Sequence, residues 1–392
     1  MNAKLWNALV GVTAVLCAAC GDSQPAAPEA MEPPSPGLQN VGSPQEVQGE
    51  IGPGALYALS IPANWNGDLV VYAHGYFLPE DPVALPSITP LRNGLLALGY
   101  GVAYSSYSEN GFAIRDGVLR TRQLRGLFAS HFGQPRRTYL ASSSMGAAVV
   151  LRLAEENPQL YDGVLPMCGI VGGAQMEVDY IFNVRLLFDY FYPGVLPGDA
   201  VNVPEGLEFA TDVVPAVVGA ILADPGPAME LAGVDQVEIQ YANLNQLISS
   251  ILNPLFFGMG GFFTDDLRER THGHDFFDNT GTAYSGSSDD AALNAGVDHF
   301  ASTPDARAFF EHWYEPDGRL AMPVLTLHSR DPVVPQLHDA AYVAVVAAAG
   351  RSDLLVQRTV AGFGHCAWNV SQTLAGFQDL VTWVETGVRP TP

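Results

Sequence analysis

Cationic side chains are scarce in this chain. Lys4 is its one lysine, and Lys and Arg together number 18 against 41 Asp and Glu, a formal net charge of −23. A surface that grips nucleic-acid phosphates needs clustered Lys and Arg, so that class of partner is excluded. The acidic balance favours solubility or salt tolerance and says little about fold. Cysteine is scarce as well, with four residues, Cys17, Cys20, Cys168 and Cys366. No internal repeat is present. The apolar run Leu5 to Leu16 is too short to cross a bilayer as a stable anchor. Against these absences stand a hydrophobic content of 48% and a mean hydropathy of +0.12, enough for a real core. At 392 residues the chain can hold two or three average domains, or one large α/β unit with an insertion.

The N-terminus reads as a targeting segment. Lys4 supplies a positive n-region, Leu5 to Leu16 an apolar h-region, and Cys17-Ala18-Ala19 leads into Cys20. This resembles the lipobox of bacterial lipoproteins, in which the Cys becomes the lipidated first residue. It departs in having Cys17 where a Leu is usual, with Leu16 one place early. Residues 1–19 are therefore expected to be a signal peptide and Cys20 a lipid anchor; cleavage at the same bond with soluble export is the alternative. Residues 20–47 are rich in Pro, Ala, Glu and Ser, cannot bury enough apolar surface to offset chain entropy, and read as a tether.

Beyond it, apolar runs alternate with helical stretches, the pattern of a mainly parallel sheet flanked by helices. Strands are expected at Asp68–Ala73, Gly101–Ser105, Thr138–Ser142, Gly163–Met167, Pro323–Leu327 and Leu354–Val360. Helices are expected over Gly117–Phe132, with Leu119, Leu124, Leu127 and Phe128 on one face, and over Gln372–Glu385. Residues 171–320 break the rhythm and are too long for a simple connection, so a cap or lid is expected there, between core parts 48–170 and 321–392. Inside it, a helix through Leu244, Leu247, Ile248 and Ile251 is expected to stop before Pro254. The following run, Leu255 to Phe263, suits either a flexible apolar surface near a cleft or plain packing of cap on core.

The chemistry gathers at strand ends. Serine needs a base, an orienting acid and donors for an oxyanion before it attacks at neutral pH. Ser142-Ser143-Ser144-Met145-Gly146 follows one strand and opens into the helix from Ala147, giving SxSxG, with small residues two before and two after Ser144. Alone, such a turn is often an N-cap. Downstream, the strand Val324-Leu325-Thr326-Leu327 runs through His328 into Asp331-Pro332, and another ends in Gly362-Phe363-Gly364-His365-Cys366. An Asp-Pro turn and a lone His would each more often be structural, but the order Ser, Asp, His, each after an expected strand, matches that of known serine hydrolases and makes Ser144 the expected nucleophile, Asp331 the expected acid and His365 the expected base.

These motifs resemble the α/β-hydrolase superfamily over residues 50 to 390, the cap being the unmatched part. The resemblance implies the α/β-hydrolase fold, class α/β, with a large cap or lid. Tyr72-Ala73-His74-Gly75-Tyr76 resembles its oxyanion loop, implying backbone N–H donors from Tyr76 and Met145, with His74 bracing the loop. A large cap and the Cys after His365 are similar to the tannase and feruloyl esterase group. That group carries a Cys before its nucleophile where this chain has Ser143, so its aromatic-ester substrates do not transfer.

Cys168 and Cys366 remain once the leader and lipid cysteines are set aside. In this fold both fall at the carboxyl end of the sheet, so a disulfide is expected, with two buried free thiols as the alternative. The His272 and His274 loop is expected to be solvated rather than metal-binding, and Asp278, Asp289 and Asp290 to serve turns and caps rather than calcium. The expected activity is a carboxylic-ester hydrolase with an acyl-Ser144 intermediate, no cofactor, a small or polymeric ester as its partner, and an exported, membrane-anchored location. A peptidase of the same fold, an acyltransferase and a non-catalytic binding protein are the alternatives.

Overall fold

The computed structural model describes residues 43–237, 239–260, 262–313 and 315–392. The expectations for the signal peptide, for Cys20 and for the tether up to residue 42 fall outside them. Eight strands form one sheet: β1 (Gln45–Ile51), β2 (Ala55–Ile61), β3 (Asp68–Ala73), β4 (Gly101–Ser105), β5 (Arg137–Ser143), β6 (Gly163–Met167), β7 (Val324–Arg330) and β8 (Leu355–Phe363). Their order is β1-β2-β4-β3-β5-β6-β7-β8. β2 is antiparallel to both β1 and β4, and every other neighbouring pair is parallel.

β1 begins at Gln45, so the last residues of the expected tether, 45–47, belong to the sheet. Its composition concealed it: QEVQGEI is an edge strand with half its side chains in water, and only Ile51 is buried. β3 lies between β4 and β5 and is buried throughout, which is why its sequence is a continuous apolar run. Its side chains alternate between two cores. Leu69, Val71 and Ala73 face one, Val70 and Tyr72 the other.

Helices cover both faces. α1 (Thr89–Ala97) and the closing helix, Val370–Thr386, contribute Leu95, Phe377, Leu380 and Trp383 to the second core. α2 (Ile114–Phe132) and α3 (Gly146–Glu156) give Leu124, Phe128, Val149 and Leu153 to the first. The 3.6-residue spacing of these apolar positions is what turns one side of each helix inward.

Between β6 and β7 the described chain is helical: α4 (Ala174–Phe191), α5 (Val214–Ala223), α6 (Gly226–Ala232), α7 (Leu244–Met259), α8 (Phe262–Arg270), α9 (Asp290–Gly296) and α10 (Pro304–Trp313). α4 is the centre of this layer, burying Ile181, Phe182, Val184, Leu187 and Phe188 and packing on α7. α7 does not stop before Pro254; it runs through it to Met259. The proline lacks an N–H, but Leu255, Gly258 and Met259 beyond it are buried, and a Cβ at Gly258 would meet Ile181 of α4 at 3.4 Å. That tertiary burial outweighs the lost helical bond. Leu255, Met259 and Phe263 are nearly inaccessible, while Phe256 and Phe257 are half-buried. Most of this run is therefore buried.

Candidate active site

Ser144 directly follows β5, one residue before the Met145 N-cap of α3, with φ at 55°, in the left-handed region. A side chain there costs about 1–2 kcal/mol, so the turn is held by its surroundings. The Ser144 N–H donates to the Met167 carbonyl at 2.9 Å, and its own carbonyl accepts from Ala147 N–H at 3.0 Å. Space around the turn is minimal. A Cβ on Gly146 would lie 2.7 Å from the His74 carbonyl oxygen and closer still to that of Ala73. Ser142, on the other side, is fully buried. The serine in the first small-residue position and the glycine in the second thus meet the steric demand of a sharp strand-to-helix elbow.

The strand order with this elbow decides the fold. It is the α/β-hydrolase fold. No protein-family model matches the chain, and no curated protein matches its sequence. Among solved structures it is similar to feruloyl esterase B from Aspergillus oryzae, at 13% identity over 88% of this chain and 80% of that one, with a TM-score of 0.47. It is also similar to the tannin acyl hydrolase from Aspergillus niger (12% identity, 87% and 77%, TM-score 0.45). A third is Est1E from Butyrivibrio proteoclasticus (13%, 87% and 99%, 0.42). The fold stands on the strand order and the elbow themselves.

In this α/β-hydrolase sheet, the loop after β3 presses against the elbow. A Cβ added at Gly75 would lie 2.9 Å from Ser144 Cβ and 3.4 Å from Ser144 Oγ. His74 braces the loop, as expected: its Nδ1–H donates to the Gly75 carbonyl at 2.7 Å, and its ring stacks on Tyr107 at 3.7 Å between centroids. The Tyr107 hydroxyl donates to the His74 carbonyl at 3.0 Å. Burial depresses the His74 pKa to about 4, so the ring is neutral at neutral pH. Met145 stands at the N-cap of α3, where the first amides of a helix have no intrahelical acceptor. Tyr76 lies next to Gly75, and its ring meets Phe257 and Phe263 edge-on, each at 5.7 Å, tying this loop to α7 and α8.

Asp331 and His365 follow β7 and β8, neighbouring parallel strands. His365 Nδ1–H donates to Asp331 Oδ2 at 2.7 Å. The other carboxylate oxygen accepts from the N–H groups of Val333 at 2.9 Å and Val334 at 3.2 Å. Burial would raise the Asp331 pKa, but the His365 partner and these donors hold it below the usual carboxylate range. Burial disfavours charge on His365 too, yet the Asp331 carboxylate raises its pKa above the ordinary imidazole value. With Nδ1–H given to Asp331, the neutral His365 ring carries its lone pair on Nε2.

Cys168 and Cys366 form a disulfide, with Cα atoms 5.2 Å apart and 198 positions between them in sequence. The bond fastens the residue after His365 to the end of β6, beside Gly169, whose added Cβ would sit 3.3 Å from the Ser144 carbonyl. The turn carrying His365 is thereby tied to the backbone that holds Ser144. Among the described residues, Cys168, His365 and Cys366 also bring metal-type ligand atoms together, but the disulfide uses both sulfurs. His274 pairs loosely with Asp305 at 3.5 Å, and His272 is exposed. Asp278 accepts from Thr280, Ser302 and Arg307, and Asp289 caps α9, the turn and cap roles expected of them.

Sequence reasoning missed a buried polar cluster behind the acid. Glu177 on α4 faces His338 at 3.0 Å, His328 faces Asp339 at 3.1 Å, and the Tyr180 hydroxyl donates to the Pro332 carbonyl at 3.1 Å. Glu177 sits in a helix whose neighbours are apolar, and only the tertiary packing brings it near Asp331.

Proposed function

We propose that the chain is a serine hydrolase that cleaves carboxylic esters through an acyl-Ser144 intermediate. The observation that carries this reading is the strained Ser144 elbow, pressed against the Gly75 loop in the sheet whose next strands present a 2.7 Å His365–Asp331 pair. In this reading Ser144 Oγ attacks the ester carbonyl carbon while His365 Nε2 takes its proton. The carbonyl oxygen becomes an oxyanion held by the N–H groups of Tyr76 and Met145. His365 then protonates the leaving alcohol, and the C–O bond breaks. Water, deprotonated by His365, attacks the acyl-enzyme and releases the acid. Asp331 keeps Nδ1–H oriented and stabilises the imidazolium. No cofactor enters this scheme.

The helices of 171–320 act as a cap, with half-buried Phe257 beside Tyr76 supporting a role in acyl choice. Export is supported by the Cys168–Cys366 bond, since disulfides persist in oxidising compartments. Cys20 would then anchor the enzyme to a bacterial membrane. A panel of p-nitrophenyl esters and aminoacyl amides tests the reaction class. Ester turnover with inert amides is the expected result; cleavage of aminoacyl amides in preference to esters would make the protein a peptidase.

A further inference from the structure

Behind Asp331 lies a second imidazole–carboxylate pair. His328 is on β7, three residues before Asp331, and is 1% exposed. Its Nδ1 is 3.1 Å from Asp339 Oδ2, in the first turn of α11 (Leu337–Ala348), and its Nε2 is 2.8 Å from the Val334 carbonyl oxygen. A carbonyl oxygen offers only lone pairs, and so does a carboxylate. Neutral imidazole has one N–H and one lone pair, so either tautomer would aim a lone pair at an acceptor within hydrogen-bond distance. The imidazolium makes both approaches attractive: a hydrogen bond from Nε2 to Val334 and an ion pair between Nδ1 and Asp339.

Val334 connects this ring to the acid. Its carbonyl accepts from His328, while its N–H and that of Val333 donate to Asp331 Oδ1. The turn that presents Asp331 to His365 is thus clamped at Val334 by a side chain from the strand that precedes it. We propose that His328 is a buried imidazolium and a positioning residue, holding the Asp331 turn through Val334 and setting a positive charge behind the Asp331–His365 pair. This rests on the reading of that pair as the acid and base of Ser144.

The charged and titratable groups around the ring are consistent with it. Asp339 and His338 approach from α11, Asp331 from the turn, Glu177 from α4 and His365 from the turn after β8. Burial opposes charge on His328, but the hydrogen bond and charge of Asp339, then Asp331 and the Val334 carbonyl, raise its pKa to about 9. His338 takes the opposite state. Gly172 N–H donates to its Nδ1 at 3.1 Å, so its proton is on Nε2 and donates to Glu177. Burial, then the His328 charge, depresses the His338 pKa to about 3. Two buried histidines on one side of the acid therefore carry different charges.

The sign of the functional effect separates this role from mere packing. The His328 charge lowers the affinity of His365 for a proton. Removing it in His328→Gln lets His365 keep its proton to higher pH, and since turnover needs neutral His365, the acid limb of the kcat/KM profile moves upward. A ring that only fills space would, on removal, loosen the turn and draw Asp331 away from His365; the acid limb would then move downward. Plateau kcat/KM should fall roughly tenfold to a hundredfold, the range for losing a charge-assisted bond. His328→Leu, with no donor for Val334, should lose more than His328→Gln.

The direct experiment is a long-range proton–nitrogen spectrum of the histidine rings in the full chain, with His328→Gln identifying the signal. Both ring nitrogens of His328 should be protonated at pH 7.5 and the ring should titrate near pH 9. A neutral ring at pH 7.5, or an acid limb that stays put or moves down in His328→Gln, overturns the proposal. The spectrum reads His328 without any turnover, so a neutral ring sinks this inference alone. A Ser144→Ala variant that keeps its activity sinks the esterase reading instead.

Discussion

Breaking the Cys168–Cys366 bond should cost stability and, separately, turnover. The bond closes a loop of 198 positions, for which chain entropy alone gives about 5 kcal/mol at 25 °C. Spread over the unfolding entropy of about 350 residues, that is a fall in Tm of about 7 °C. Engineered disulfides often deliver less, so this is an upper figure. The second effect is local. Cys168 and Cys366 have φ of 42° and 51°, both left-handed, where a side chain costs about 1–2 kcal/mol. Freed of the cross-link, the His365 turn can relax that backbone and move the imidazole from its place beside Asp331. The variants are Cys168→Ala with Cys366→Ala, and Cys168→Ala with Cys366→Gly; the glycine version should be the more stable, because glycine accepts positive φ without strain. Differential scanning fluorimetry reads Tm, and ester kinetics at 25 °C, where every variant is folded, reads the turn. A fall in kcat beyond any loss of folded protein is expected. The reasoning is refuted if both variants keep full kcat at 25 °C, or if iodoacetamide labels Cys168 and Cys366 in the native, unreduced protein.

The remaining predictions are local. Gly75→Ala places a methyl 2.9 Å from Ser144 Cβ, so the loop or the elbow must shift; it should lower kcat by at least tenfold in the protein that remains folded, together with some fall in Tm; unchanged kinetics would mean the loop is not where the reaction occurs. Phe263→Ala, at a nearly inaccessible position, should destabilise by about 3–5 kcal/mol in a denaturant titration, whereas half-buried Phe257→Ala should chiefly shift the preferred acyl length. An unchanged chain-length profile in Phe257→Ala would leave that ring a packing role. In detergent phase partitioning, the full-length product should follow the detergent through a lipidated Cys20; recovery in the aqueous phase with an unmodified Cys20 would indicate simple secretion.

Strands buried on both faces announce themselves. β3, β4 and β6 coincide with the continuous apolar runs at 68–73, 101–105 and 163–167. β1 was silent because it alternates with water and has the composition of a tether, whereas β2, ALYALSI, is an apolar run buried almost throughout that went unread. Pro254 misled because a local rule, that proline ends helices, yields to the burial of Leu255 and Met259. The sharp turn at Ser144 and the Asp331–His365 pair were legible because each residue follows an apolar strand, and the disulfide because few cysteines remained. The cluster of Glu177, His328, His338 and Asp339 was not. Its members come from a helix between β6 and β7, a strand and a second helix, and no spacing in the chain records that they meet.

Ser144, and no neighbouring hydroxyl, is the proposed nucleophile. Ser143 is the sharpest competitor: it is adjacent, half-buried, and its Oγ lies 2.7 Å from the Tyr72 hydroxyl. Treatment of the full-length protein with a fluorophosphonate, followed by peptide mapping, distinguishes them. A single adduct is expected on Ser144, absent from Ser144→Ala, which should also lose about a thousandfold or more in ester turnover. An adduct on Ser143, or a Ser144→Ala variant that still labels and turns over ester at near its original rate, would contradict it.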